Sequence, residues 1–251
     1  MTIRRWLLFV AIVALPAIAA CGGGNPVLSK VFKAPVWPGT EQLSYNLVDE
    51  GGESYGTCVL ETKPEVEPGK TQLNQLCGSN GPERDDRTVT VDSATLRPFS
   101  ASRAIADPSK HKRTTFTSEY DATAALVHFK ADENGNVHEA QRDLPKATRE
   151  SPDPGYYDDE SLFWLVRGVP LRKGFEGSYA DVNASSGQVV TATVTVQDKE
   201  QVKVPAGSFV TWRVRLQTSS ITQYFWIDGA APHEVVQARI ERVTYQLTPP
   251  K

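Results

Sequence analysis

Val190-Thr191-Ala192-Thr193-Val194-Thr195-Val196 is the stretch that decides the fold. Aliphatic and hydroxyl side chains alternate with a period of two, which places one set on each face of an extended strand. The same alternation continues on both sides. Toward the C-terminus, Val210, Trp212, Val214 and Leu216 share one face and Arg213 and Arg215 the other; the runs Ile221 to Ile227, Val236 to Ile240 and Val243 to Leu247 follow. Toward the N-terminus come Ala125, Val127 and Phe129; Phe116, Ser118 and Tyr120; Val89 and Val91; and Leu43, Tyr45 and Leu47. Strands with one apolar and one polar face predict an antiparallel sheet with one side packed and the other wet or lightly covered. Turn chemistry falls between the runs. Asn134-Gly135 reads as a two-residue hairpin, Pro205-Ala206-Gly207 as a tight turn after Val202 and Val204, and Asp228-Gly229 as a further break.

One segment changes the period. Asp158, Asp159 and Glu160 precede Leu162, Phe163, Leu165 and Val166, with Arg167 in the last turn, Gly168 beyond it and Pro170 as a stop. Acid at the start and base at the end complement a helix dipole, so a helix of about two to three turns is expected, lying against the concave face of the sheet. The expected fold is mainly β: a single large curved antiparallel sheet or half-barrel of about ten to twelve strands with one short helix. It occupies residues 41–248 as one β-rich domain, and the Pro-rich stretch 145–154 is a connection within it.

The 251 residues suffice for one large domain. Lys+Arg 27 against Asp+Glu 30 leaves a formal net charge of -3, without the basic excess of a nucleic-acid binder. A hydrophobic content of 39% excludes a polytopic membrane protein, and five Trp argue against wholesale disorder.

Arg4 and Arg5 precede the apolar run Trp6 to Leu15, which is too short for a resident membrane helix and reads as an export signal. Its end, Ile18-Ala19-Ala20-Cys21, resembles the bacterial lipobox. Small side chains admit the backbone to a signal peptidase, and the Cys21 thiol is the nucleophile that accepts a diacylglyceryl group. The expectations are a lipoprotein signal peptide at 1–20, lipidation at Cys21, and a flexible tether at 21–40 opening with Gly22-Gly23-Gly24. The protein would then be exported and held at a membrane, facing the periplasm or the cell exterior. Arg4-Arg5-x-Leu7-Leu8 leaves the Sec and twin-arginine routes both open. Cys58 and Cys77 remain as a pair in an oxidising compartment, where a disulfide is the default over free thiols. The intervening loop, with Pro64, Pro68 and Gly69, promises little structure of its own.

Val204-Pro205-Ala206-Gly207-Ser208-Phe209, followed by Trp212-Arg213-Val214, Tyr224-Phe225-Trp226-Ile227 and Pro232-His233-Glu234-Val235-Val236, resembles an uncharacterised bacterial envelope family, domain-of-unknown-function family 3108. Asp92 to Pro98 and the helix from Asp159 to Leu171 fit it as well, and the likeness spans most of residues 41–248. It implies an exported, mostly β protein without an assigned activity. A more distant likeness in fold is to lipoprotein-carrier half-barrels, which hold acyl chains on a concave face. The motif is structural in character: Pro205 and Gly207 set a turn, while Phe209, Trp212 and Trp226 pack. The Cys58–Cys77 region departs from the family pattern as a local insertion.

Reactive constellations are sparse. His111, His128, His138 and His233 form no i, i+4 pair, so no metal ligand set or catalytic histidine is assigned. Ser109-x-x-Lys112 has the spacing of an acylating dyad but lies in a basic loop. Gly69-Lys70-Thr71 lacks the first Gly of a phosphate loop, and Asp132 to Asn136 is better explained as a hairpin than as a calcium loop. Asp158, Asp159 and Glu160 read as helix capping before acid/base chemistry. No cofactor is expected. The leading expectation is a non-catalytic, lipid-anchored envelope protein binding an apolar ligand or lipid on the curved sheet. A protein-interaction module is the alternative, favoured if Trp37, Tyr156 or Tyr157 is exposed beside a free strand edge. An envelope hydrolase is the third, and it requires ionisable groups converging in a cleft.

Overall fold

A computed structural model describes residues 26–33, 37 and 39–250. The signal peptide at 1–20, Cys21 and much of the tether at 21–40 lie outside the described residues. The strands are β1 (Glu41–Val48), β2 (Ser54–Glu67), β3 (Lys70–Ser79), β4 (Arg84–Asp92), β5 (Pro98–Asp107), β6 (Lys112–Asp121), β7 (Leu126–Glu133) and β8 (Asn136–Asp143) in the first half. The second half holds β9 (Tyr156–Asp158), β10 (Glu176–Asn183), β11 (Gln188–Val204), β12 (Gly207–Gln217), β13 (Thr222–Asp228), β14 (Val235–Ile240) and β15 (Val243–Leu247). They make one sheet in the order β8-β7-β6-β5-β4-β3-β2-β1-β15-β14-β13-β12-β11-β10-β9. Each half is therefore a meander, and the halves are joined where β1 pairs with β15, Tyr45 opposite Leu247 and Leu47 opposite Tyr245. Pairing is antiparallel except between β9 and β10.

The sheet is mainly β, large and curved as the sequence predicts, but it has fifteen strands where about ten to twelve were expected. The additional strands hide their alternation. Ser178 to Val182 of β10 are all buried, because both faces of that strand are covered. The Cys58–Cys77 loop, expected to lack structure, is the β2–β3 hairpin, with Cys58 and Cys77 directly opposite and disulfide-bonded. Pro64 is tolerated there because it sits at a register shift between Lys63 and Glu67, where the ladder is interrupted. A second shift, between Val196 and Lys199 of β11, re-aims the far part of the β11–β12 hairpin. Val210, in phase with Trp212 by sequence, is instead 60% exposed.

The turns follow their chemistry. Asn134 and Gly135 both take positive φ (52° and 91°), as a two-residue hairpin demands. Val204 pairs with Gly207 around Pro205-Ala206, and the Ala206 N–H donates to the Leu247 carbonyl at 3.0 Å, tying the hairpin tip to β15.

The sheet curls until its ends face each other. Val127 and Phe129 of β7 share an apolar cluster with Leu144, Tyr156, Ala180, Val182 and Ala184. β8 and β9 are the edges of the sheet, so side chains and not a backbone ladder close this seam. Inside the curl lies the predicted helical segment, here called the plug: a 3₁₀ turn (Asp159–Ser161), α1 (Leu162–Leu165) and a second 3₁₀ turn (Val166–Gly168). Leu162 to Val166 are all buried. The Trp164 Nε1–H donates to Thr62 Oγ1 at 2.9 Å. The Phe163 ring packs 5.0 to 5.7 Å from those of Tyr245, Tyr45 and Phe225. Burial of this apolar face, at about 25 cal/mol per Å², holds so short a helix in place; its own hydrogen bonds would not.

Candidate functional site

The inner face of the first meander carries a row that alternation alone would fill with aliphatics. Register sets Gln75 opposite Arg87 and Arg87 opposite Arg103, one pair along from Leu73, Val89 and Ala101. Two guanidiniums facing each other across a ladder repel. Asp85 resolves the conflict: its carboxylate accepts Arg103 Nε and Nη2, both at 2.8 Å, and Arg87 Nη2 at 2.9 Å. Burial works to raise the Asp85 pKa, but the two arginines outweigh it and hold the carboxyl below its ordinary range. From the plug, Glu160 brings Oε2 to 2.9 Å from Arg87 Nη1 and Oε1 to 3.8 Å from Arg103 Nη1. Glu160 Oε2 makes no aligned hydrogen bond, so this is a charge contact first. Burial disfavours the Arg87 charge, and Glu160 with Asp85 more than offsets that, raising its pKa.

Above this row a cleft of about 550 Å³ opens at one mouth of the curled sheet. Leu162, Phe163 and Tyr245 contribute an apolar floor, Arg87, Arg103 and Asp85 a charged wall. Tyr55, Ile105 and Ile221, three of the exposed large hydrophobic residues, also line it. Cys77 opens onto the same space.

Behind the plug lies a second polar group. Asp158 Oδ1 accepts the Glu160 N–H at 3.0 Å, capping the 3₁₀ turn as the sequence predicts. Its Oδ2 accepts hydroxyls from across the seam, Ser118 at 2.9 Å and Tyr120 at 2.5 Å. Asp159 reaches the cleft and accepts Asn183 Nδ2 at 3.2 Å. Asp181 is buried with Oδ1 unpartnered, and the Tyr179 hydroxyl is likewise buried and unpartnered. Burial, reinforced by the Glu160 charge, pushes the Asp158 and Asp159 carboxyls up to about 7. Burial and the neighbouring Asp159 push Asp181 well above the carboxylate range. Reading residues 158–160 as caps alone was therefore incomplete: the strand-to-plug turn draws them into one interior with Arg87, Arg103 and Asp181. Among the described residues no three His, Cys, Asp or Glu side chains are set to hold a metal ion.

Other candidates disperse. His111, His128 and His138 are exposed, and His233 Nδ1 lies 3.0 Å from the Asp228 carbonyl. The Ser109 hydroxyl donates to Asp107 at 2.6 Å, while Lys112 pairs with Glu133 at 3.2 Å, so the two make no dyad. Asp132 serves the hairpin turn through the Gly135 N–H at 2.8 Å. Trp37, Tyr156 and Tyr157 are buried, which removes the observation that would have favoured an exposed aromatic docking patch. Pro205 and Gly207 form the hairpin tip; Phe209, Trp212 and Trp226 are half-buried against the core. The residues that sequence reasoning missed are Asp85, Arg87, Arg103 and Asp181. The first three carried a signal, since they share the phase of Val89, Val91 and Ala101.

A family model described as protein of unknown function (DUF3108) matches residues 79–244. The β1–β2 strands and nearly all of β3 fall outside that range. No curated protein matches the chain. Among solved structures, a β-barrel-like protein of the unknown-function family DUF1849 from Brucella abortus aligns at 11% identity with a TM-score of 0.46, covering 87% of this chain and 98% of that one. A protein described as exported, with a YmcC-like fold, from Bacteroides fragilis aligns at 13% identity with a TM-score of 0.28, covering 88% and 99%.

Proposed function

From the premise that the chain belongs to the DUF3108 family of unknown function, we propose that it is an exported, lipid-anchored, non-catalytic protein that binds an amphiphile in the mouth cleft. The observation that carries the binding reading is the gathering of Tyr55, Ile105 and Ile221 around one concave site above Leu162 and Phe163. Exposed apolar side chains scattered singly need no explanation; those lining a single cleft do. The apolar floor suits a hydrocarbon chain. The wall suits a polar head, because Arg87 and Arg103 are already neutralised by Asp85 and Glu160 and offer N–H groups without excess charge. Export and anchoring rest on Arg4, Arg5, the apolar run and the lipobox-like Ile18 to Cys21.

The test is mass spectrometry of protein extracted gently from its native membrane, followed by titration of the stripped protein with a dansyl-labelled fatty acid. The expected results are a diacylglyceryl-modified Cys21, a co-purifying amphiphile, and roughly tenfold weaker probe binding by Ile105→Asn with Ile221→Asn. These are surface changes that leave stability within about 0.5 kcal/mol. An unmodified, freely soluble N-terminus would overturn the anchor, and equal probe binding by the variant would overturn the cleft. Asp159, poised near neutrality in the same cleft, favours an envelope hydrolase as the second reading. Recovery of the bound amphiphile in cleaved form, with the intact form accumulating on Asp159→Asn, would decide for it.

A further inference from the structure

We propose that the plug and the seam together form a proton-operated latch on the mouth cleft, closed while Asp158, Asp159 and Asp181 hold their protons and released when they lose them. The inference rests on the reading of that cleft as the binding site.

The latch is built where the sheet lacks a ladder. Elsewhere around the curl each strand is held to its neighbour by backbone hydrogen bonds, but β8 and β9 are free edges. Across this gap the buried polar ties are the Ser118 and Tyr120 hydroxyls on Asp158 Oδ2; nearer the surface Arg97 Nη2 donates to the Pro154 carbonyl at 3.0 Å and pairs with Asp153. Asp158 is also the last residue of β9 and the cap of the plug's first turn, so one carboxyl joins both moving parts.

The charges around it do not balance. β4 and β5 present Arg87 and Arg103, and β4 also presents Asp85. The plug presents Asp158, Asp159 and Glu160; β10 presents Asp181 and Tyr179; β6 presents Ser118 and Tyr120. Asp85 and Glu160 already neutralise the two guanidiniums. Further ionisation on Asp158, Asp159 or Asp181 therefore finds no cation left to pair with; the Glu160 N–H and the Ser118 and Tyr120 hydroxyls soften it at Asp158 and the neighbouring Tyr179 hydroxyl at Asp181, but burial outweighs these donors. Protonated, the three carboxyls can sit in this interior; ionised, they repel one another and Glu160 across the strand-to-plug turn. Asp159 opens on the cleft and gives the protons a path to water. Burial of the other two makes their release and the opening of the turn one event.

Hydrogen–deuterium exchange of the full chain, corrected for intrinsic rates, reads the latch without any ligand. Between pH 6 and pH 8 the protection of residues 112–143 and 156–168 should fall at least tenfold, while that of β12 to β14 stays constant. Asp158→Asn with Asp181→Asn should flatten the dependence; Asp159→Asn, at the more accessible site, serves if the pair fails to fold. Protection that is independent of pH in the wild type, or a dependence unchanged in the variants, overturns the proposal. A dansyl-labelled fatty acid, followed in parallel, should exchange at least tenfold faster at pH 8. A probe that binds at neither pH sinks the cleft reading, and the exchange data still decide the latch.

Discussion

Removing Glu160 from the plug tests the electrostatic account most directly. Its side chain is 1% exposed and that of its partner Arg87 is 13% exposed. With Glu160→Leu, Arg87 and Arg103 face each other with Asp85 alone between them. Breaking one partner out of a buried pair costs about 3–5 kcal/mol, and the poor hydrogen-bond alignment of Glu160 Oε2 puts this case at the low end, about 3 kcal/mol. For a chain of this size that is a fall of roughly 6–12 °C in melting temperature. The double variant Arg87→Met with Glu160→Leu removes both charges and leaves Arg103 in its two 2.8 Å bonds to Asp85. It should lie within about 1 kcal/mol of the wild type, since apolar replacement of a whole buried pair is often neutral. Urea denaturation of wild type, both singles and the double at pH 5.5 closes the cycle. A Glu160→Leu loss under about 1 kcal/mol, or a double variant that loses the sum of the singles, would refute the clamp.

Three further outcomes are expected. Asp158 and Asp159 titrate near 7 in the fold and return to the ordinary carboxylate range on unfolding, so the native chain holds protons that the unfolded chain has shed between about pH 4 and 7. Stability must then fall as pH rises through that window, whereas Asp85, lowered in the fold, withdraws its contribution as pH falls below about 4. Calorimetry should find the melting temperature highest near about pH 4, and a steady rise toward pH 8 would contradict the assignment. Replacing Cys58 and Cys77 together by Ala should cost up to about 3 kcal/mol in urea melts, since the bond closes a loop between residues 19 apart. Gly207→Ala should cost about 1–3 kcal/mol, because φ of 140° strains any Cβ, although the nearest atom, Phe209 Cε2, leaves room at 3.7 Å. An unchanged melting temperature would show that the backbone relaxes there.

The strands easiest to read in the sequence were those whose inner residues are plain aliphatics: Ala192, Val194 and Val196, or Val214 and Leu216. β3, β4 and β5 were harder because Gln75, Arg87 and Arg103 occupy inward positions, and a charged residue in phase with valines reads as an interruption. β10 gave no period at all, being covered on both faces. The candidate site was obscured for the same reason. Its parts come from β4, β5, β6, β10 and the plug, and only the register that sets Arg87 against Arg103 explains why a carboxylate is needed beside them. Asp158 did declare its capping role by position. Nothing local announced that Ser118 and Tyr120 would approach it from forty residues away.

The order of the strands also says how the molecule could be divided. Neighbours within 41–143 are neighbours in sequence, and so are those within 176–247; residues 144–155 carry the chain from the first set of strands to the second. A cut in the exposed part of that span, residues 146–150, would leave two fragments, each with its own set of hairpins. They could rejoin through the short β1–β15 pairing and the aromatic core around Phe163. Such a nicked protein would be a heterodimer in all but origin, its affinity a direct measure of what ring closure is worth.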